Sequence, residues 1–352
     1  MHKKKLSRLK KADQKLIGFK GASAAGFQSY RNTMSLLSVM DLKKEMNQRW
    51  WRWFFAKKAQ RFSWTAYHAT ANRFKFAFLK KAKMHRQNWV MIPTKKKVAA
   101  ILSVMNEEKT IQNTLDQLER LPLEEIIVVI NGSTDQTLNK IQNHPSRPII
   151  IHYDSALGFD VGRAVGAKAA ISDILLFLDG DMVIPAEQLV PFVYAVEQGS
   201  DIALNNITPF LARFDHRDPV TVVKQFVNDS LGRGDLVANS LTAVPHALSR
   251  RTVEIIGFRN LAIPPLAQAI ALQSSMKVTA PASINVIRKN SKKSTNVGLG
   301  NVVEELIIGD HLEALHYSME RQGERLHLQD QLRQRQCMRG EPNENEYHHS
   351  EL

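Results

Sequence analysis

From Val98 onward, short unbroken apolar runs alternate with polar stretches that carry apolar residues at helical spacing. The runs "VAAILSVM" (98–105), "EIIVVI" (125–130), "RPIIIHY" (147–153) and "ILLFL" (174–178) read as buried strands, because a continuous apolar run suits a sheet covered on both faces. After the first run, "NEEKTIQNTLDQLERL" sets Ile111, Leu115 and Leu118 on one stripe. Asn106 is its expected N-cap, and Glu107 and Glu108 suit the positive end of a helix. "NGSTDQT" is a turn opening a short helix, and "LGFDVGRAVGAKAAIS" (157–172) is helical where it is not loop. Strands alternating with short helices predict an α/β fold with a Rossmann-like, mostly parallel sheet flanked by helices. Ligands in such sheets sit outside the carboxyl ends of the strands. Three polar groups fall there: Asn106-Glu107, Asn131-Gly132-Ser133 and Asp179-Gly180-Asp181.

The last group sharpens the question. Asp179 and Asp181 follow five apolar residues directly. A buried, unpaired carboxylate pair is costly, so the pair belongs at a surface or cleft with something positive beside it. Beyond residue 186 the pattern weakens. "AEQLVPFVYAVEQG" reads as helix, "DIALNN" as a strand, and "SLTAVPHALSRRTVEIIGF" as a strand or loop leading into a helix. Residues 301–336 read as one or two helices, and the polar "GEPNENEYHHSEL" at the end reads as disordered.

The four polar elements, in this order, resemble a family 2 glycosyltransferase of the GT-A fold. "SVMNEE" keeps the Asn106, Glu107 and Glu108 of that family's first motif, with Ser103 and Met105 in place of Pro and Tyr. "VINGSTDQT" keeps Gly132, Ser133, Thr134, Asp135 and Thr137, while Ile130 and Asn131 replace two acids. "GFDVGRAVG" keeps Gly158, Arg163 and Gly166, and the Asp-x-Asp sequence is the fourth element. The resemblance covers about residues 97–290 and implies a nucleotide-sugar donor and a divalent cation, Mg2+ or Mn2+. By it, Asp181 touches the metal and Asp179 meets the ribose or the metal through water. Ser103, Met105, Asn106 and Glu107 line the nucleobase and ribose pocket, with Gly132 beside them. Asn131, through its amide, stands where an acid contacts the base. Arg163 becomes a phosphate or nucleotide contact, since a charged fork suits oxyanions. Gly180 lets the chain pass close to the ligand.

The resemblance fails at one point. The family's Glu-Asp pair, whose Asp is the general base, has no counterpart in "IGFRNLAIPPLAQAIA". "IIGDHLEAL" offers Asp310 as a base and His311 as a third metal ligand; the competing reading is an ordinary polar helix surface. A retaining mechanism, which needs no such base, stays open. His246 in "PHALSRR" is either an acceptor or phosphate contact or a loop residue with a satisfied neighbour. The Gln-x-x-Arg-Trp of processive relatives is absent, which argues against a polysaccharide synthase. Two other classes compete: a nucleotidyltransferase, which usually has a Gly-rich basic loop that "SVMNEEKT" lacks, and a non-catalytic binding protein on a degenerate transferase fold.

Charge divides the chain. Of 48 Lys and Arg, 25 lie in residues 1–97 against three acids, Asp13, Asp41 and Glu45, and all five Trp lie there too. Residues 98–352 are net acidic. The expected organisation is a basic, Trp-rich helical extension (1–97), a transferase domain (98–336) and a disordered tail (337–352). The extension, with cations and aromatics interleaved, reads as an interfacial helix on an anionic membrane, as a polyanion binder, or as an appendage packed on the domain. No helix-turn-helix, zinc-finger or RNA-binding signature is visible, which argues against specific nucleic-acid binding. Cys337 alone cannot form an intramolecular disulfide, which fits a reducing compartment. No apolar run reaches the ~18–20 residues that span a bilayer, and the basic start lacks the apolar core of a secretory signal. A cytoplasmic location, or a peripheral one on the inner face of the membrane, is expected.

Overall fold

The four apolar runs become parallel strands β1 (Val98–Val104), β2 (Glu125–Asn131), β3 (Ile149–Tyr153) and β4 (Ile174–Asp179). The computed structural model describes residues 21–57, 62–286 and 302–328; the first twenty residues and the tail expected at 337–352 lie outside the described residues. Strands β5 (Ile202–Asn205), β6 (His246–Ser249) and β7 (Val278–Ala282) complete a seven-stranded sheet in the order β3-β2-β1-β4-β6-β5-β7. Only β6 runs antiparallel to its neighbours, so the sheet is mostly parallel, as the alternation of elements implied.

Side chains alternate between the faces. Ala100, Leu102, Val128, Ile130, Leu176 and Leu178 pack on one side, and Ala99, Ile101, Ile127, Val129, Leu175 and Phe177 on the other. The second face is covered by helices α6 (Val161–Ala169), α9 (Arg250–Ile256) and α10 (Pro264–Gln273). The first is covered by α4 (Ile111–Glu119) and α7 (Ala186–Glu197), and by the N-terminal helices α1 (Gly21–Ser29), α2 (Val39–Ala56) and α3 (Trp64–Lys81). Between the strands lies α5 (Thr137–Gln142); α8 (Pro219–Ser230) packs against the long α11 (Val302–Gln322). Asn106 does not cap α4. It adopts φ 57°, and the helix starts five residues later, because the loop between them is tied to another strand exit.

Most aromatics of the N-terminal helices face inward, although Phe27 and Phe76 are exposed. Trp50, Tyr67, Phe74 and Phe78 are fully buried, and none of the five Trp is exposed. Trp50 Nε1 donates to the Tyr67 hydroxyl (2.8 Å), which donates to the Met91 carbonyl (2.9 Å). Tyr67, Ala71, Phe74 and Phe78 follow helical spacing, so the stripe is a core face. This corrects the expectation that Trp and Phe enter a headgroup layer: removing them from the shared core would cost several kcal/mol, since each large-to-small loss costs about 3–5 kcal/mol. The exposed face keeps the cations. Arg31, Arg52, Arg73, Lys80, Lys81 and Lys95–Lys97 are exposed, with Lys95 Nζ 5.5 Å from the Trp51 ring. Two lysines are exceptions: Lys75 donates to the Trp89 carbonyl (2.7 Å) and Lys43 to the Glu119 carbonyl, and burial lowers both ammonium groups to about 8.

Candidate functional site

Register brings the polar groups to one edge. Ser103 of β1 pairs with Asp179 of β4, and Val104 with Ile130, so the exits of β1, β2 and β4 open side by side. The two loops after β1 and β2 are locked together. Asn106 Oδ1 accepts from the Thr134 amide (2.8 Å), and the Asn106 amide donates to Ser133 Oγ (3.0 Å). The Glu107 amide donates to Thr137 Oγ1 (2.8 Å), and the Glu108 amide to Asp135 Oδ2 (3.1 Å). Burial pushes the Asp135 carboxyl up, but hydrogen bonds from Thr137 and the Glu108 amide outweigh it and hold it below the usual range. The residues of the first two motifs thus build a rigid rim, and Met105 is an exposed apolar side chain on it.

Asn131 is 6 % exposed, and both halves of its amide are engaged. Its Oδ1 accepts from the Leu157 amide (2.5 Å) and its Nδ2 donates to the Gly158 carbonyl (2.8 Å). It holds the loop after β3. Gly132 explains itself in the same place: with φ +70°, any Cβ would lie 2.5 Å from the Ala156 nitrogen.

Gly180 is needed for packing. A Cβ there would stand 2.1 Å from Val104 Cγ1 and 3.3 Å from Glu107 Cγ. Val104 is β-branched and 2 % exposed, so it has little room to yield. Gly180→Ala is expected to destabilise the fold by about 1–3 kcal/mol, the usual cost of overpacking. Urea unfolding checks this, and an unchanged midpoint would show that the β4 exit is looser than described.

At that exit the two acids differ. Asp179 keeps 36 % of its side chain exposed and meets Arg163 Nη2 at 3.3 Å; Asp181, two residues further, is half-buried. Arg163 is buried. Its Nη1 donates to the Leu241 carbonyl (3.1 Å) and reaches Asp160 Oδ1 (3.0 Å). An arginine held this way on three sides positions Asp179. Asp160 sits at φ 59°, an uncommon conformation for a non-glycine residue that often marks functional sites. Burial and Asp179 push its carboxyl up, while Arg163 and Lys224 oppose them.

The far wall comes from α8 and α11. Lys224 lies within electrostatic reach of Asp218, Asp160 and Arg163, and burial lowers its ammonium to about 8. Asp310 is pushed up to about 6, first by burial and then by Asp160 and Glu313. Asp310 thus lies within electrostatic reach of Asp160. His311 turns inward instead. It is 1 % exposed, its Nδ1–H donates to the Ile307 carbonyl (2.6 Å), and burial with the neighbouring Lys224 lowers it to about 4. A lysine cation beside it opposes a second cation. His246 is likewise internal: it stacks on Phe177 (5.1 Å) with Nδ1–H donating to the Ala243 carbonyl, and burial lowers it to about 3. It is not an acceptor contact.

The carboxylates of Asp179 and Asp181 offer hard oxygen donors at a partly open edge, which suits Mg2+ or Mn2+ bound mainly through substrate phosphates. Asp160 and Lys224 are the residues that motif reading missed. Asp160 stands within "GFDVGR", but only the turn of α6 shows that it shares Arg163 with Asp179.

This edge sets two acids past a parallel strand, with motif-locked loops beside it. Residues 99–247 match the family model described as Glycosyl transferase family 2. The chain is 28 % identical over 115 residues to a dolichol-phosphate mannosyltransferase of Pyrococcus furiosus, covering 31 % of this chain and 33 % of that protein. It is 27 % identical over 126 residues to a glucosyl-3-phosphoglycerate synthase of Mycobacterium tuberculosis, covering 31 % and 38 %. It thus spans little more than a third of the curated relatives it matches. Among solved structures, the Mycobacterium tuberculosis synthase with Mn2+, uridine diphosphate and phosphoglyceric acid aligns at 18 % identity, covering 65 % of this chain and 84 % of that one, with a TM-score of 0.47.

Proposed function

We propose that the protein transfers a sugar from a nucleotide-sugar donor, with Mg2+ or Mn2+, to an acceptor of the cell envelope or a lipid-linked one. The observation that carries this is the convergence of the β1, β2 and β4 exits, within the family-matched segment, on Asp179 and Asp181. Asp181 and Asp179 would hold the ion, which when bound supplies positive charge for the departing diphosphate. Arg163 keeps Asp179 oriented and Asp160 close, so the pair's geometry does not depend on the ligand. Ser103, Met105, Asn106 and Glu107 would flank the nucleoside.

Asp310 is our candidate general base. A carboxylate held near 6 is ionised at neutral pH yet basic enough to take a proton from an acceptor hydroxyl. The test is release of nucleoside diphosphate from a panel of nucleotide-sugars, with Mn2+ and with chelator. Mn2+-dependent release from one donor supports the reading; silence across the panel favours a binding protein on the same fold.

The basic segment supports peripheral attachment to an anionic membrane mainly by its charges, because none of its Trp is exposed. No helix among the described residues is long and apolar enough to cross a membrane. Sedimentation with anionic vesicles should show binding at low salt that disappears near 1 M, where the screening length falls to about 3 Å. Salt-resistant binding would point to inserted side chains, and no binding at low salt would reject the attachment.

A further inference from the structure

A cavity of about 400 Å³ opens between the β5 exit, the edge strand β7 and the turn Gly234–Leu236 that follows α8. Register gives its place. Ala203 of β5 pairs with Ala247 of β6, and Ala247 with Leu176 of β4. Because β6 is antiparallel to both, β5 and β4 run the same way. Three residues further along each, Asn206 stands level with Asp179, two strand spacings or about 10 Å away. One wall also leads to the donor edge: Asn239 lines the cavity, and two residues on, the Leu241 carbonyl accepts from Arg163.

The polar wall offers donors. Asn239 is 3 % exposed, and its Oδ1 accepts from the Ile207 amide (2.8 Å). Its Nδ2 donates to Asn206 Oδ1 (3.3 Å) and to Thr208 Oγ1 (3.2 Å), and the Thr208 amide also donates to Asn206 Oδ1 (3.2 Å). These bonds orient both side chains through their acceptor atoms. Among the described residues, Asn206 Nδ2 and the Thr208 hydroxyl hydrogen donate to nothing, and Asn206 is half-buried and Thr208 exposed. No lysine, arginine or histidine among the described residues lines the cavity. The nearby Arg233 is engaged with Asp235 (2.7 and 2.9 Å) and the Val278 carbonyl (3.0 Å). A phosphate or carboxylate would meet no free cation there, whereas neutral hydroxyls would meet oriented donors.

The other wall is apolar and includes Leu236, Val237 and Ala280. Val237 is held at φ 50°, ψ −120°, which glycine adopts readily and a β-branched residue rarely. Its amide donates to the Gly234 carbonyl (3.1 Å), and its carbonyl accepts from Asn228 Nδ2 (2.8 Å). Glycine would make both bonds without the strain. What valine adds is an apolar branch at the cavity wall, and strain kept in this way clusters at ligand clamps.

We propose that this cavity binds one ring of a saccharide acceptor, with its hydroxyls on Asn206 and Thr208 and its C–H face against Leu236 and Val237. A pocket of this volume, with an apolar wall and a few fixed polar groups, suits a small neutral ligand. A disaccharide spans about the distance from the cavity to Asp179, so the next ring would carry the hydroxyl that receives the transferred sugar. That role as acceptor rests on the transfer reading; binding in the cavity does not.

Saturation-transfer NMR on the full chain, without donor or metal, tests the site. The probes are the methyl glycosides of glucose, galactose, mannose and N-acetylglucosamine, their disaccharides, and glycerol phosphate as the anionic control. At least one saccharide is expected to receive saturation, and glycerol phosphate none. Asn206→Asp keeps the accepting oxygen and its two bonds but turns the free donor into an acceptor, and is expected to weaken binding about tenfold. Val237→Gly is expected to weaken it too, without lowering the unfolding temperature. No saturation of any saccharide, preference for glycerol phosphate, or undiminished binding in either variant overturns the site, and a lower unfolding temperature in Val237→Gly would make the valine a packing residue and count against it. Nucleoside diphosphate release is measured separately. Saccharide binding without such release would sink the transfer reading and leave the cavity standing, and release without saccharide binding would do the reverse.

Discussion

Asp181→Asn is expected to reduce sugar transfer by on the order of a thousandfold, because a cation on a departing diphosphate is worth several kcal/mol and each ~1.4 kcal/mol is a factor of ten. The substitution keeps size and hydrogen-bonding capacity while removing the charge. It also removes a like charge from the neighbourhood of Asp179, so the fold should not weaken. Initial rates of nucleoside diphosphate release, measured with thermal unfolding on the same samples, separate the two effects. A variant that folds normally and transfers at the wild-type rate would remove Asp181 from the chemistry. Asp179 should be less sensitive, since Arg163 already shares its charge at 3.3 Å.

Asp310→Asn is the second large effect. Loss of a general base usually costs about 10²–10⁴-fold. The wild-type rate should rise with pH as Asp310 ionises, with a limb near its raised value of about 6 in the free protein. A bound divalent ion favours the carboxylate and would move that limb lower. The variant should lose the limb altogether. Stability moves the other way. The folded pKa lies above the ordinary 3.8, so the folded state binds more protons between about 4 and 6 and stability falls as pH rises through that window. Above it, the ionised carboxyl faces burial, Asp160 and Glu313, and Asn relieves all three. Asp310→Asn should therefore unfold at a higher temperature than wild type at pH 8 while transferring far more slowly. A variant that keeps its rate and its acid limb would leave the base to be found elsewhere, or point to a retaining route that needs none.

Much of the architecture was legible because apolar runs declare buried strands. "ILLFLDGD" announced both β4 and the acids at its exit, and the register that sets Ser103 against Asp179 followed from parallel pairing. What stayed hidden were choices between partners. Arg163 and Asn131 carry groups suited to a ligand, but the turn into α6 and the loop at Leu157–Gly158 lie closer and claim them. Lys224 gave no signal, since a lone lysine on a helix with weak patterning reads as solvated. The inward aromatics were readable from the spacing of Tyr67, Phe74 and Phe78, yet the cations between them suggested a membrane face.

The most direct measurement of the account is thermal unfolding with each nucleoside diphosphate, in Mn2+ and in chelator, for wild type and Asp181→Asn. Mass action predicts that one nucleotide raises the wild-type transition only when Mn2+ is present, by an increment beyond that of Mn2+ alone. The same nucleotide should leave Asp181→Asn unmoved. An equal rise in chelator, or an undiminished rise in the variant, would contradict a cation held at the β4 exit.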